Sequence, residues 1–78
     1  MPFTKTQIKQ LTTLGKRVKS IRTEKELTLK ELAYTIGKDP QSIHRLEMGG
    51  VNPSYLYLLD ICKGLEIDIT DLLNGLND

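Results

Sequence analysis

Seventy-eight residues, 38% of them hydrophobic, with eleven Lys and Arg against ten Asp and Glu, set one small domain with a single Leu/Ile-based core. One cysteine and one histidine exclude an intrachain disulfide and a multi-cysteine metal site, and no apolar run is long enough to span a membrane. With no signal-type apolar segment at its start, the chain is expected to be cytoplasmic, with no membrane partner, no metal and no cofactor. The near-neutral total hides an asymmetry. Residues 1–50 hold ten of the basic residues and five acids, net +5, whereas 51–78 set Lys63 against Asp60, Glu66, Asp68, Asp71 and Asp78, net −4. The basic part suits a polyanion and the acidic part a different task.

In chain order, Met1-Pro2-Phe3 reads as a loose end. Ile8, Leu11, Leu14, Val18 and Ile21 then recur at spacings of 3, 3, 4 and 3, a helical stripe. The main first helix is expected over about 12–25. Segment 4–11 either continues it or forms a separate turn, because Thr12, Thr13 and Gly15 lower helix propensity in the middle. The chain accordingly divides into an N-terminal extension, 1–11, partly helical, and a domain over 12–78. Lys16, Lys19 and Lys25 flank the stripe and are expected in solvent.

Residues 28–49 are the organising stretch. Thr28 as N-cap with Glu31 three residues on has capping-box spacing, and Leu29, Leu32, Ala33 and Ile36 line one face of a helix over 28–36. Gly37 suits a left-handed helix end. Asp39 as N-cap and Pro40 at the first helical position start a second helix, ending near Met48 before Gly49-Gly50. Two helices joined by so short a turn outline a helix-turn-helix. In the second, Ile43 and Leu46 make a narrow apolar seam, leaving Gln41, Ser42, His44, Arg45 and Met48 on other faces. Such a helix suits a DNA major groove, and a solvated surface helix would show the same pattern.

After the turn residues Gly49-Gly50-Val51-Asn52-Pro53, Ser54 caps a helix to about Lys63, with Tyr55, Leu58, Ile61, Cys62 and Leu65 in its buried stripe. Cys62 reads as a small core residue. Leu56, Tyr57 and Leu59 fall outside the stripe and mark a candidate interface. Gly64 ends that helix, and a last one covers about 69–76, with Thr70 at its N-cap or first turn and Leu72, Leu73 and Leu76 as its apolar side chains. Strand alternation and internal repeats do not occur in the pattern, so the fold class is all-α.

The ordered set Arg17-Val-Lys-Ser-Ile-Arg22, Leu27-Thr-Leu-Lys-Glu-Leu-Ala33, Gly37, Gln41-Ser-Ile-His-Arg-Leu-Glu47, Gly49, Asn52-Pro-Ser54 and Asp71-Leu-Leu-Asn-Gly75 resembles the five-helix DNA-binding domain of the lambdoid phage repressor and Cro family, the XRE-type helix-turn-helix. The resemblance covers roughly residues 14–76. It implies a lambda-repressor-like fold with the helix over 39–48 in the major groove. Arg22 and Glu47 match a structural ion pair joining the first helix to the end of that helix. Gln41, Ser42, His44 and Arg45 match base-facing or phosphate-facing positions. Gln41 can pair with adenine N6/N7 and Arg45 with guanine O6/N7. Thr28, Lys30, Lys38, Gly50 and Asn52 match phosphate contacts at a helix N-terminus and the following loop.

The chain departs from the family at three places. Leu29 stands where a phosphate-anchoring glutamine is common. Pro40 offers a base only apolar contact, as with a thymine methyl. Met48 replaces a common polar or basic residue. The expected function is a sequence-specific, double-stranded-DNA-binding transcriptional regulator, a homodimeric repressor on a palindromic operator, with Leu56, Tyr57, Leu59, Ile67 and Leu76 at the dimer interface. The alternative is a protein-interaction module on the same fold, an antitoxin or coactivator-like adaptor with an unknown protein partner. An enzyme is not expected, because His44 lacks the companions that acid–base chemistry needs.

Overall fold

The computed structural model describes residues 2–76, and the expectation for Met1 lies outside them, as do Asn77 and Asp78. Five helices follow in order: α1 (Lys5–Glu24), α2 (Leu29–Ile36), α3 (Pro40–Glu47), α4 (Tyr55–Leu65) and α5 (Ile69–Leu73), with no strand among the described residues. Helix α1 packs on α3 and α5, α2 on α3 and α4, and α4 on α5. Each helix supplies the shared core: Val18 and Ile21, Leu32 and Ala33, Ile43 and Leu46, then Ile61, Cys62 and Leu65, and Leu72.

The first helix is continuous for 20 residues, so the segment before residue 12 continues the helix expected over 12–25 and does not form a separate turn. Its start is fixed locally. The Thr4 hydroxyl accepts from the Gln7 N–H at 3.1 Å, and the Gln7 side-chain oxygen accepts from the Thr4 N–H at 2.9 Å. This capping box satisfies two amide groups that would otherwise lack partners. The apolar stripe does not stay buried along it, for Ile8 is 50% exposed. Gly15, read above as a weak point, has a packing reason. A Cβ there would stand 2.4 Å from the Leu46 and Glu47 carbonyl oxygens, so only glycine lets α1 cross the end of α3 this closely.

The expected caps of α2 and α3 are present. Thr28 and Glu31 form the reciprocal pair at 3.0 and 2.8 Å, and the Asp39 carboxylate accepts from the Gln41 N–H at 3.2 Å with Pro40 behind it. Helices α1 to α4 all close with the same pair of backbone bonds: a 6→1 bond from Leu27 to Arg22, Lys38 to Ala33, Gly50 to Arg45 and Ile67 to Cys62, and inside it a bond from Glu26 to Thr23, Gly37 to Tyr34, Gly49 to Leu46 and Glu66 to Lys63. The left-handed residue in these four ends is Glu26, Gly37, Gly49 and Glu66. Two of the four therefore hold a glutamate in a conformation that costs an L-residue about 1–2 kcal/mol.

Three expectations are corrected in the C-terminal part. Helix α4 runs past Lys63 to Leu65 with Gly64 inside it, a position that takes glycine because a Cβ there would stand 2.6 Å from the Leu32 and Ile36 side chains. Tyr55, placed in the buried stripe, is 64% exposed, since burial deepens along α4 only toward Ile61, Cys62 and Leu65. Helix α5 stops at Leu73 instead of 76; Asp68 is its N-cap and Thr70 lies in its first turn, the second of the two places read for it. Its end is held by Arg17, which donates to the Asp71 carbonyl at 2.7 Å and the Leu72 carbonyl at 3.3 Å. A guanidinium there meets the negative end of the helix dipole.

Candidate nucleic-acid interface

Helix α3 buries Ile43, Leu46 and Glu47 and turns Gln41, His44 and Arg45 to solvent, with Pro40 and Ser42 half-buried between the two faces. Met48, its C-cap, is exposed as well. Two clefts flank the outer face. Leu29, Pro40, Gln41 and His44 line one, where α2 and α3 begin. Ser42, Arg45, Asn52, Ser54 and Tyr57 are among the residues lining the other, under the α3–α4 loop. The side chains named from sequence as base-facing therefore share one surface.

What holds α3 in place is a buried ion pair. Arg22 Nε donates to Glu47 Oε2 at 2.7 Å and Nη2 to Oε1 at 3.1 Å, while Nη1 donates to the Leu27 carbonyl at 2.7 Å. Both side chains are almost fully buried, at 9% and 2% exposure. With both ends hydrogen-bonded, the pair fixes the angle of α3 against α1 more than it adds stability. All three guanidinium nitrogens of Arg22 are thus engaged within the chain.

The residues named for phosphate contact are divided by the structure. Lys30 and Asn52 are exposed. The Thr28 N–H is bonded to the Glu31 carboxylate, and the Gly50 N–H is bonded to the Arg45 carbonyl at 2.9 Å, so neither amide is free. Lys38 is drawn toward α4, its Nζ 3.5 Å from the Asp60 carboxylate and 5.2 Å from the centre of the Tyr57 ring. Arg17, counted with the basic half, serves α5 instead. Its partners lie 54 and 55 residues away, beyond any local signal.

Among the interface candidates, Leu56 is 70% exposed, whereas Tyr57 and Ile67 pack partly against the core. Leu59 and Leu76 are half-buried. Tyr55 and Leu73, not named as interface residues from the sequence, are exposed at 64% and 44%. Tyr57 faces α3, and its hydroxyl is buried without a hydrogen-bond partner. Burial raises its pKa above the ordinary value of 10.0, opposed by the nearby Ser42 hydroxyl and Arg45 charge, with Asp39 and Asp60 adding to the rise. Burial likewise pushes the Cys62 thiol up, helped by Asp68 and Asp71, which disfavours the reactive thiolate. Among the described residues no group of three potential metal ligands occurs, and no helix is long and apolar enough to cross a membrane.

The helix-turn-helix domain family matches residues 15–77. The restriction-modification controller protein C.AhdI from Aeromonas hydrophila superimposes with a TM-score of 0.77 at 31% identity, over 80% of this chain and 94% of that one. The clp gene regulator ClgR from C. glutamicum superimposes with a TM-score of 0.81 at 28% identity, over 97% of this chain and 91% of that one. No curated protein sequence matches. With a helix-turn-helix domain matched over residues 15–77, most of its length, this chain belongs to the XRE-like family of helix-turn-helix DNA-binding domains.

Proposed function

We propose that the chain is a homodimeric repressor that reads a palindromic operator through α3. The observation that carries this is the outer face of α3, where Gln41, His44 and Arg45 stand exposed on a helix clamped by Arg22 and Glu47. A rigid helix with a thin buried seam can enter the major groove and present hydrogen-bonding ends to base edges. Pro40 and Ser42 border the same face, and the exposed Lys30 and Asn52 are the remaining candidates for contact with the DNA backbone. The likeness to a restriction-modification controller and a clp gene regulator supports a regulatory role. One such helix reads only a few base pairs, so two copies on half-sites about one helical turn apart supply the specificity. Leu56, exposed near the start of α4, with Leu59 and Leu76, is the basis of the two-fold contact, to which exposed Tyr55 and Leu73 are added. Tyr57 and Ile67 contribute less, being partly engaged with the core.

The test is selection of duplexes from a random pool, with binding of the selected site at two salt concentrations. A palindrome is expected, with affinity falling by roughly 10³–10⁵ between 50 and 200 mM salt if six to ten phosphates are neutralised. Arg45→Ala is expected to lower affinity for the selected site by about 10-fold or more and affinity for random duplex much less. Equal losses on both would exclude a base contact.

One observation favours a second reading, a protein-interaction module on the same fold. The Thr28 and Gly50 amides and Lys38 are engaged inside the chain, which thins the phosphate-binding set. No enrichment, with negligible binding even at low salt, would decide for that reading.

A further inference from the structure

We infer that Tyr57 is a positioning residue that sets the polarity of Ser42, making this point of α3 a donor to a hydrogen-bond acceptor on the DNA. The inference rests on the operator-reading role proposed above. It starts from the Tyr57 hydroxyl, which is buried to below contact with water and has no partner in the free domain. Such a group destabilises the state in which it stands alone, and any state that gives it a partner recovers the difference. The surrounding structure holds it where it is. Tyr57 packs against the core, and Lys38, paired with Asp60, sits over its ring.

The cleft into which this residue faces is lined by Ser42 and Arg45, one helical turn apart on α3, and by Val51, Asn52, Pro53 and Ser54. Ser42 is the hydroxyl close enough to act on that of Tyr57, although the two do not complete a hydrogen bond. A serine hydroxyl alone is ambiguous, since it donates one proton and accepts at two lone pairs. Rotation of the Ser42 side chain lets its oxygen accept from the Tyr57 O–H. The Ser42 proton then points outward, toward the groove. The relay reads Tyr57 O–H to Ser42 Oγ, and Ser42 O–H to an acceptor: a phosphate oxygen, or a base-edge acceptor such as purine N7, guanine O6 or thymine O4. It disfavours a cytosine N4 amino group at that position. Hydrogen bonds in series also strengthen one another.

The experiment compares wild type, Tyr57→Phe, Ser42→Ala and the double variant, each by thermal unfolding without DNA and by binding to the selected and to a random duplex. Expected for Tyr57→Phe are an unchanged or raised Tm and an affinity for the selected duplex roughly 5- to 15-fold lower. The double variant should lose no more than Ser42→Ala alone, because the relay acts through one atom. A loss confined to the selected duplex assigns a base acceptor, and an equal loss on random duplex assigns a phosphate. A lowered Tm would show that the hydroxyl already has a partner in the free domain, and would overturn the inference. So would unchanged affinity, or losses that add in the double variant. A wild-type chain that enriches no duplex fails the operator reading itself and removes the basis of the relay, an outcome read before any variant is compared.

Discussion

The first three turns of α1 and the α2–turn–α3 unit are both helical, both capped, and differently supported. In residues 5–14 the helix is held by the Thr4–Gln7 capping box and its own backbone, with Leu14 reaching the edge of the core only at the end of the segment and Ile8 half in water. In residues 28–47 each helix has its cap and in addition an apolar face sealed at Leu32, Ala33, Ile43 and Leu46, with Glu47 clamped by Arg22. The difference teaches that a cap and continuity are enough to extend a helix, but that the precision a groove-reading helix needs comes from burial on one side and a fixed polar tie at its end.

The comparison breaks most sharply at Arg22. Arg22→Ala leaves the Glu47 carboxylate buried without its partner and is expected to cost about 3–5 kcal/mol in chemical denaturation. DNA affinity should fall with it even though Arg22 itself faces no groove. A matched pair of substitutions then sets the two regions side by side. Ile43→Ala, at a fully buried position, is expected to cost about 2–5 kcal/mol, whereas Ile8→Ala should cost about 0.5 kcal/mol or less. Equal costs would mean that the start of α1 has a packing partner in solution, and a concentration-dependent Tm for wild type would identify it as a second copy.

A smaller effect sharpens the role of the helix ends. Glu66→Gly relieves a left-handed glutamate at φ 58° and is expected to stabilise the domain by about 0.5–1 kcal/mol, read as a shift in denaturation midpoint without a change in slope. The smallest expectation concerns alkaline pH. The Cys62 and Tyr57 pKa values are raised in the folded state above 9.0 and 10.0, so above pH 9 the unfolded chain binds fewer protons than the folded one. Stability should therefore fall as pH rises through about 9 to 10, and Cys62→Ala should flatten the lower part of that fall. A pH-independent denaturation midpoint over this range would show that neither group is shielded from water.

Much of the turn-centred unit was legible from residues alone. Thr28 with Glu31, Gly37, and Asp39 with Pro40 each act through hydrogen bonds or backbone angles confined to a few residues, so their spacing carries the outcome. The Arg22–Glu47 tie was legible only through resemblance, because nothing local links residues 25 apart. The same limit explains the misplacements. Gly64 reads as a helix end until Leu32 and Ile36 are seen against it, and Tyr55 fits a buried stripe until the neighbouring helices show where burial begins. Charge counting placed Arg17 and Lys38 in one basic surface, though one serves the end of α5 and the other pairs with Asp60.

By itself, then, the sequence determined an all-helical chain, the two helices around Gly37 and their caps, and the seam of Ile43 and Leu46 that decides which face of α3 turns outward. Those features follow from interactions that close within one or two helical turns. The tertiary structure alone decided which cations remain free, where Tyr57 points, and how near α1 can come to α3 at Gly15. These depend on atoms brought together from distant parts of the chain, whose positions exist only once the core has formed.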